Sequence, residues 1–254
     1  MNKSKIQLKA KNIDVSKFKF DEPSKNRNNG QMVYFDYNGD MPIIQTPWMK
    51  APFGVYDIID ENNKRFVKLT TTFDNHENED EVNLFMSKMK DLDEHLIDLA
   101  TKCSKKWFGA NKKKEIVEDN YRRLVQEGSE KRKDPKDKDS DPLTDEEGNV
   151  LRWEPSFAAV KFYVDDRSNP SKIKVKCTDK NKNPYDFSSI PKQSKVRMLL
   201  TASSIWFIGK NRFGITFVCN EIQVDADEKQ QQMSFDDSDS DDDHDEEEEI
   251  EEED

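Results

Sequence analysis

Apolar residues recur along this chain at two spacings, and the spacing changes with position. Over residues 5–11 they alternate. Ile6, Leu8 and Ala10 share one face while Lys5, Gln7, Lys9 and Lys11 share the other, which predicts a half-buried strand with a basic outer face. A shorter alternation follows at 15–20. Residues 32–37 (MVYFDY) predict another strand, ended by Asn38-Gly39. From 79 to 108 the period lengthens. Val82, Phe85, Met86, Met89, Leu92, Leu96, Leu99, Ala100, Cys103 and Trp107 fall at helical spacing. One long helix is expected there, with Asn78 as N-cap, Glu81 as its capping-box partner and Gly109 as the stop. A second helix is expected over 112–127, on Ile116, Val117, Tyr121, Leu124 and Val125.

Beyond 150 the alternation returns. Residues 157–164 predict a strand, 165–171 a turn, and 172–178 (KIKVKCT) a strand with Ile173, Val175 and Cys177 inward and Lys172, Lys174 and Lys176 outward. Residues 194–208 and 212–224 predict two long strands joined by a tight turn at Gly209-Lys210-Asn211. In the second, Ile222 and Val224 fall out of phase with Phe213, Ile215, Phe217 and Cys219, a slip that a bulge near Asn220 absorbs.

Two segments fit neither period. Residues 41–56 (MPIIQTPWMKAPFGVY) hold three prolines, three aromatics and the single charge Lys50. The prolines argue against a regular helix or a central strand, and an apolar loop of this kind must pack on something or bind something. Residues 129–149 are a mixed-charge stretch expected to be a mobile loop.

Charge changes the picture. The chain carries −12, but residues 225–254 hold eighteen Asp or Glu against Lys229 alone, so this tail is at −17 and the remaining 224 residues are at +5. A tail so charged and so poor in apolar residues is expected to be disordered. Its start, directly after the last strand, suggests that it leaves near a Trp206–Arg212 surface. No run approaches a membrane span. The first residues hold no apolar signal core, and three widely spaced cysteines suit a reducing compartment. An intracellular protein with no membrane association follows as the expectation. With three histidines, no zinc spacing and no phosphate-binding Gly-rich loop, no catalytic set suggests itself. The protein is expected to be no enzyme and to need no cofactor or metal.

Charge segregation inside the body points to binding. No acid occurs between Asp186 and Glu221, where Lys192, Lys195, Arg197, Lys210 and Arg212 accompany Trp206, Phe207 and Phe213. Phe207, Phe213 and Phe217 suit the core. The candidate contacts are Trp48, Lys50, Phe53, Lys174, Lys176, Lys195, Arg197, Trp206, Lys210 and Arg212, with Tyr34 and Tyr56 behind them. Cations release counterions from phosphates and rings stack on bases of any sequence, which is what sequence-independent single-strand binding requires.

The segments QTPWMKAPFG and IWFIGKNRFGITFVCNEIQV, with the helix pair between them and the acidic tail after them, resemble the single-stranded DNA-binding proteins of large nucleocytoplasmic DNA viruses. More distantly they resemble the acidic-tailed single-stranded DNA-binding proteins of podophages. The resemblance covers nearly the whole chain. It implies an α+β protein with an OB-fold-like β-barrel, built on strands at 31–37, 65–73, 157–164, 172–178 and 194–224 with a long helical insertion at 79–127. It implies single-stranded DNA as partner, replication, repair or recombination as role, and a viral replication compartment in host cytoplasm or nucleus as setting. The tail would compete for the DNA groove and recruit replication proteins. Some of those proteins dimerise, so a homo-oligomer stays open. The phage proteins end in an aromatic residue, whereas this tail ends Ile250-Glu-Glu-Glu-Asp254 with Phe235 as its aromatic. The competing reading is an acidic-tailed histone chaperone or assembly scaffold, with the tail itself as binding site.

Overall fold

Ser194–Thr201 alternates strictly between buried and outward positions, and the larger sheet is built around it. Ser194, Val196, Met198 and Leu200 point inward, leaving Lys195, Arg197, Leu199 and Thr201 on the outer face. The computed structural model describes residues 4–26, 29–59, 65–74, 76–157, 160–162, 164–166, 169–173, 175–202, 204–209 and 211–225. Lys174, Lys210 and the tail beyond Asp225 therefore lie outside the described residues.

The central strand pairs antiparallel with Phe217–Asp225 on one side. On the other it has two successive partners, Met49–Ala51 and Met41–Gln45. Thr46 closes the gap between them. Its N–H donates to the Met198 carbonyl at 3.0 Å, and its hydroxyl oxygen accepts from the Met198 N–H at 2.9 Å. The proline-rich segment is thus part of the sheet, against the expectation of a loop. Pro42 sits where its strand faces only Lys5–Lys9, and Pro47 sits in the break, so neither removes a hydrogen bond from the central strand. Beyond Met49–Ala51 the sheet continues through Thr71–Thr72 and Ser156–Phe157 to Val125–Gln126. Lys176–Asp179 and Val160–Lys161 both pair in parallel with Phe217–Asp225. This sheet curls into a half-barrel within a mixed α+β fold made mostly of strands.

A second sheet orders Phe18–Phe20, Gln31–Tyr37, Ser204–Ile208, Arg212–Ile215 and Tyr121–Arg122, with Ser24–Lys25 also on Gln31–Tyr37. Residues 194–208, expected as one strand, change sheets between Thr201 and Ser204. Residues 212–224 change back at Thr216. Such corners let one strand serve two sheets. The bulge is where the phase slip places it: Leu199 faces Glu221, Leu200 faces Cys219, and the extra Asn220 donates to the Thr201 hydroxyl at 3.0 Å. Residues 157–164 and 172–178 are each divided among different partners, because Val164–Asp166 and Asn169–Ile173 form a separate hairpin. Val55–Ile59 and Arg65–Leu69 form another.

The long helix, Asp80–Lys102, buries the expected stripe. Phe85 meets both Phe73 and Phe157, and Phe157 meets Phe217, so helix and half-barrel share one aromatic core. Three details differ from expectation. Glu79 is the N-cap residue and makes no side-chain cap bond. The helix stops at Cys103, before a separate short helix, Ser104–Phe108. The second helix spans only Lys114–Asn120, and Asp93 explains why. This buried carboxylate accepts from the Tyr121 hydroxyl at 2.8 Å, from the Leu124 N–H at 2.9 Å and from the Val125 N–H at 3.3 Å. Those N–H groups are thereby drawn out of the helical pattern, and Tyr121–Arg122 and Val125–Gln126 become strands. Residues 129–149 fold back on themselves through bridges at Arg132–Pro142 and Thr144–Val150, continued by Glu130–Arg152. Among the described residues no helix is long and apolar enough to cross a membrane.

Candidate nucleic-acid interface

The outer face of the curled sheet carries a groove that runs across the strands. It is made of four clefts joined by shared walls. The first lies around Lys176, Arg197 and Gln223, the second around Lys9, Trp48 and Arg197, the third around Trp48, Lys50 and Lys195, and the fourth, of 740 Å³, around Phe53 and Trp153. Arg197 and Gln45 belong to the first two, Trp48 to the second and third, and Lys50 and Gln193 to the third and fourth.

Strand register explains the composition of this surface. On the row through Lys195, the neighbours Lys50 and Thr72 lie on one side and Asp225 on the other. On the row through Leu199, Gln45 lies on one side, and Glu221 and then Lys176 on the other. The break at Thr46–Pro47 frees Trp48 from the ladder, so its indole lies against the outer face. There the Arg197 guanidinium covers it, with Cζ 4.8 Å from the ring centroid. Arg197 is oriented by its Nε, which donates to the Gln223 side-chain oxygen at 2.7 Å. A planar cation on a half-buried indole, held from behind, can bind a phosphate with its open N–H groups while the indole edge meets a base.

Three of the groove lysines are engaged with acids of the same chain. Lys50 pairs with Asp74 at 2.7 Å, Lys195 with Glu79 at 3.1 Å and Lys176 with Glu221 at 3.1 Å. Asp74 follows the Thr71–Thr72 strand and Glu79 caps the long helix, so neither acid is near its lysine in sequence. These pairs are partly exposed, and such pairs add little to stability. A phosphate can therefore exchange for the carboxylate.

Six candidates are thus brought together: Trp48, Lys50, Phe53, Lys176, Lys195 and Arg197. Trp206 and Arg212 are not with them. They lie on the second sheet, where the Trp206 indole covers Gly214 and donates to the Thr216 hydroxyl at 3.0 Å. A Cβ on Gly214 would stand 2.9 Å from that ring, so the glycine is what lets it lie flat. Tyr34 is on the same sheet, and Tyr56 is tied to the Thr70 hydroxyl at 2.8 Å. Lys174 and Lys210 are outside the described residues. The acid-free window 187–220 is therefore not one surface patch, because its chain changes sheets midway.

The tail also starts elsewhere than expected. Asp225 faces Lys195 and lines the cleft of Trp48 and Lys50, at the opposite end of the central strand from the turn toward Trp206. Trp153 and Lys131 are not among the sequence-derived candidates: Lys131 lies inside the stretch 129–149 expected to be a mobile loop, and Trp153 follows closely after it. Lys131 Nζ lies 5.1 Å from the Trp153 ring centroid, the same kind of contact as Arg197 on Trp48. A lone tryptophan on the flank of a charged stretch was the available signal. Cys103, Cys177 and Cys219 are free thiols, and burial pushes Cys177 up to about 12. Among the described residues no cluster of His, Cys, Asp or Glu could hold a metal ion. Compared with protein-family models and with curated proteins, the sequence matches none.

Proposed function

We propose that the groove binds single-stranded DNA without reading its sequence, and that the curled half-barrel with its helical insertion is an OB-like barrel. The observation that carries this reading is the Arg197–Trp48 pair in the middle of a groove that crosses the sheet and is lined by further lysines, among them Lys50, Lys176 and Lys195. The indole with the guanidinium plane lying on it supplies a flat cationic platform for a base, where stacking is worth ~1–3 kcal/mol, and the lysines supply phosphate neutralisation. The groove is open along its length, which suits a strand that enters and leaves. The sequence resemblance adds the context of viral DNA replication, repair or recombination, with the acidic tail meeting replication proteins.

Titration of the full chain with oligo-dT and with a duplex of equal length tests the proposal. Expected are preference for the single strand, steep weakening with salt, and a loss of tenfold or more in Trp48→Ala. Equal or better binding to the duplex overturns it. The −17 tail favours a second reading, a chaperone for basic proteins such as histones. In that case removing 226–254 abolishes histone binding, whereas the first reading expects the same truncation to tighten DNA binding.

A further inference from the structure

We propose that the cleft between Phe53 and Trp153 is a second base-stacking station, which extends the groove to the Val125–Gln126 edge of the sheet. The inference rests on the single-strand reading of the groove. Phe53 and Trp153 are 57% and 58% exposed, and both line the 740 Å³ cleft. Rings of this size are usually far more withdrawn from water. Trp153 is held in place by its main chain. Its N–H donates to the Ser129 carbonyl at 2.9 Å, and its own carbonyl oxygen stands 1.6 Å from where a Cβ on Gly128 would be. Only glycine permits that approach, so the hairpin's return limb is pressed against residue 128 while the indole stays largely exposed. Lys131 covers the ring as Arg197 covers Trp48. The same groove therefore holds two tryptophans, each carrying a cation on its ring.

Charge selects the ligand. Around this cleft Lys50 and Lys131 are outnumbered by Asp74, Glu127 and Glu154. A dense anion is not favoured there, but a flat neutral base is, with its phosphates lying over the two lysines. Continuity comes from Lys50, Asp74 and Gln193, which line this cleft and the one beside Trp48.

Length makes the idea testable. From Lys176–Asp179 to Met49–Ala51 the groove crosses three interstrand steps, and from there to Val125–Gln126 three more. At ~4.8 Å per step each half spans about 14 Å, or about four nucleotides stacked at ~3.4 Å. A strand of ~5 nucleotides is satisfied by the Trp48 half, and one of ~10 fills both.

The experiment titrates the full chain, Trp153→Ala and Trp153→Phe with oligo-dT of ~5 and ~10 nucleotides, following affinity and tryptophan emission. Expected is a loss of about tenfold for Trp153→Ala on the longer strand and no change on the shorter. Trp153→Phe keeps most of the affinity, and the extra quenching that the longer strand causes in the wild-type chain disappears in it. If both strands bind and Trp153→Ala matches the wild type, or weakens both equally, the station is overturned while the groove stands. If the cleft instead takes a tryptophan-containing basic peptide, used as a probe, and Trp153 emission ignores DNA, the station is likewise overturned. Failure of both strands to bind the wild-type chain overturns the underlying reading together with this one.

Discussion

Arg197 matters through its shape as much as its charge. Its guanidinium lies on Trp48 and is aimed by Gln223. Arg197→Lys keeps the charge but loses the stacked plane and the bidentate geometry. It is expected to weaken single-strand binding several-fold, and Arg197→Ala more, measured by fluorescence titration at fixed salt. Lys50 and Lys195 behave differently, because each starts in an ion pair. Replacing Asp74 and Glu79 by Asn and Gln removes the carboxylates that phosphates must displace. The double variant is expected to bind oligo-dT a few-fold more tightly at low salt, with the gain fading as salt screens the pairs. Unchanged affinity at low salt would mean that these lysines do not contact phosphate.

The long helix is joined to both sheets through one carboxylate. Burial pushes the Asp93 carboxyl up to about 6, against the Leu124 N–H, the Tyr121 hydroxyl, the Val125 N–H and the Arg123 charge, which hold it down. Burial, with Asp93 beside it, also raises the Tyr121 hydroxyl well above the ordinary phenol range. Because the folded form binds the Asp93 proton more tightly than the unfolded chain, the associated stability is fully present below pH ~4 and is lost as pH rises through about 6. The window corresponds to about 3 kcal/mol. Asp93→Asn presents an amide to backbone N–H donors and is expected to cost about 1–3 kcal/mol at neutral pH. Denaturant melts from pH 4 to 7 should show the wild type losing stability over the acidic part of that range, with the variant flatter. Equal slopes would remove Asp93 as the cause. The strand change between Thr201 and Ser204 has its own consequence. Trp206→Ala should lower the melting temperature, through the lost packing on Gly214 and the lost bond to Thr216, while leaving oligo-dT affinity nearly unchanged. A tenfold affinity loss in a folded Trp206→Ala chain would place DNA on the second sheet.

For the molecule as a whole, charge is divided between a body at +5 and a tail at −17. The last described residue, Asp225, already stands in the cleft of Trp48, Lys50 and Lys195, and pairs with Lys180 at 3.0 Å. A polyanion tethered at that point has an effective concentration in the millimolar range over the groove cations. Truncation after Asp225 is therefore expected to raise single-strand affinity about tenfold at low salt, with the difference shrinking as salt increases. Identical curves for the full and truncated chains would show that the tail does not reach the groove.

The periods in the sequence located the central strand, the inward stripe of the long helix and the bulge at Asn220, because each depends on side chains within one element meeting water or core at a fixed repeat. Trp48, Lys50, Lys176, Lys195 and Arg197 were also visible, since cations and rings in acid-poor stretches stand out in a line of text. The line of text could not show which sheet each stretch would join. A corner at Thr201–Ser204 separates Trp206 from Arg197 although only nine positions divide them. Register brings Glu79 to Lys195 and Asp74 to Lys50 from distant segments. Asp93 carries no signal in the sequence pattern, and its bonds to Tyr121, Leu124 and Val125 turn the last part of the expected second helix into strands. Trp153 gained its place in the groove only where Gly128 lets the Trp153 backbone close on residue 128. Hydrophobic period is a local property and so was legible. Charge pairing, sheet membership and the walls of the groove depend on contacts between residues far apart in the chain, and only the folded arrangement of the strands sets them.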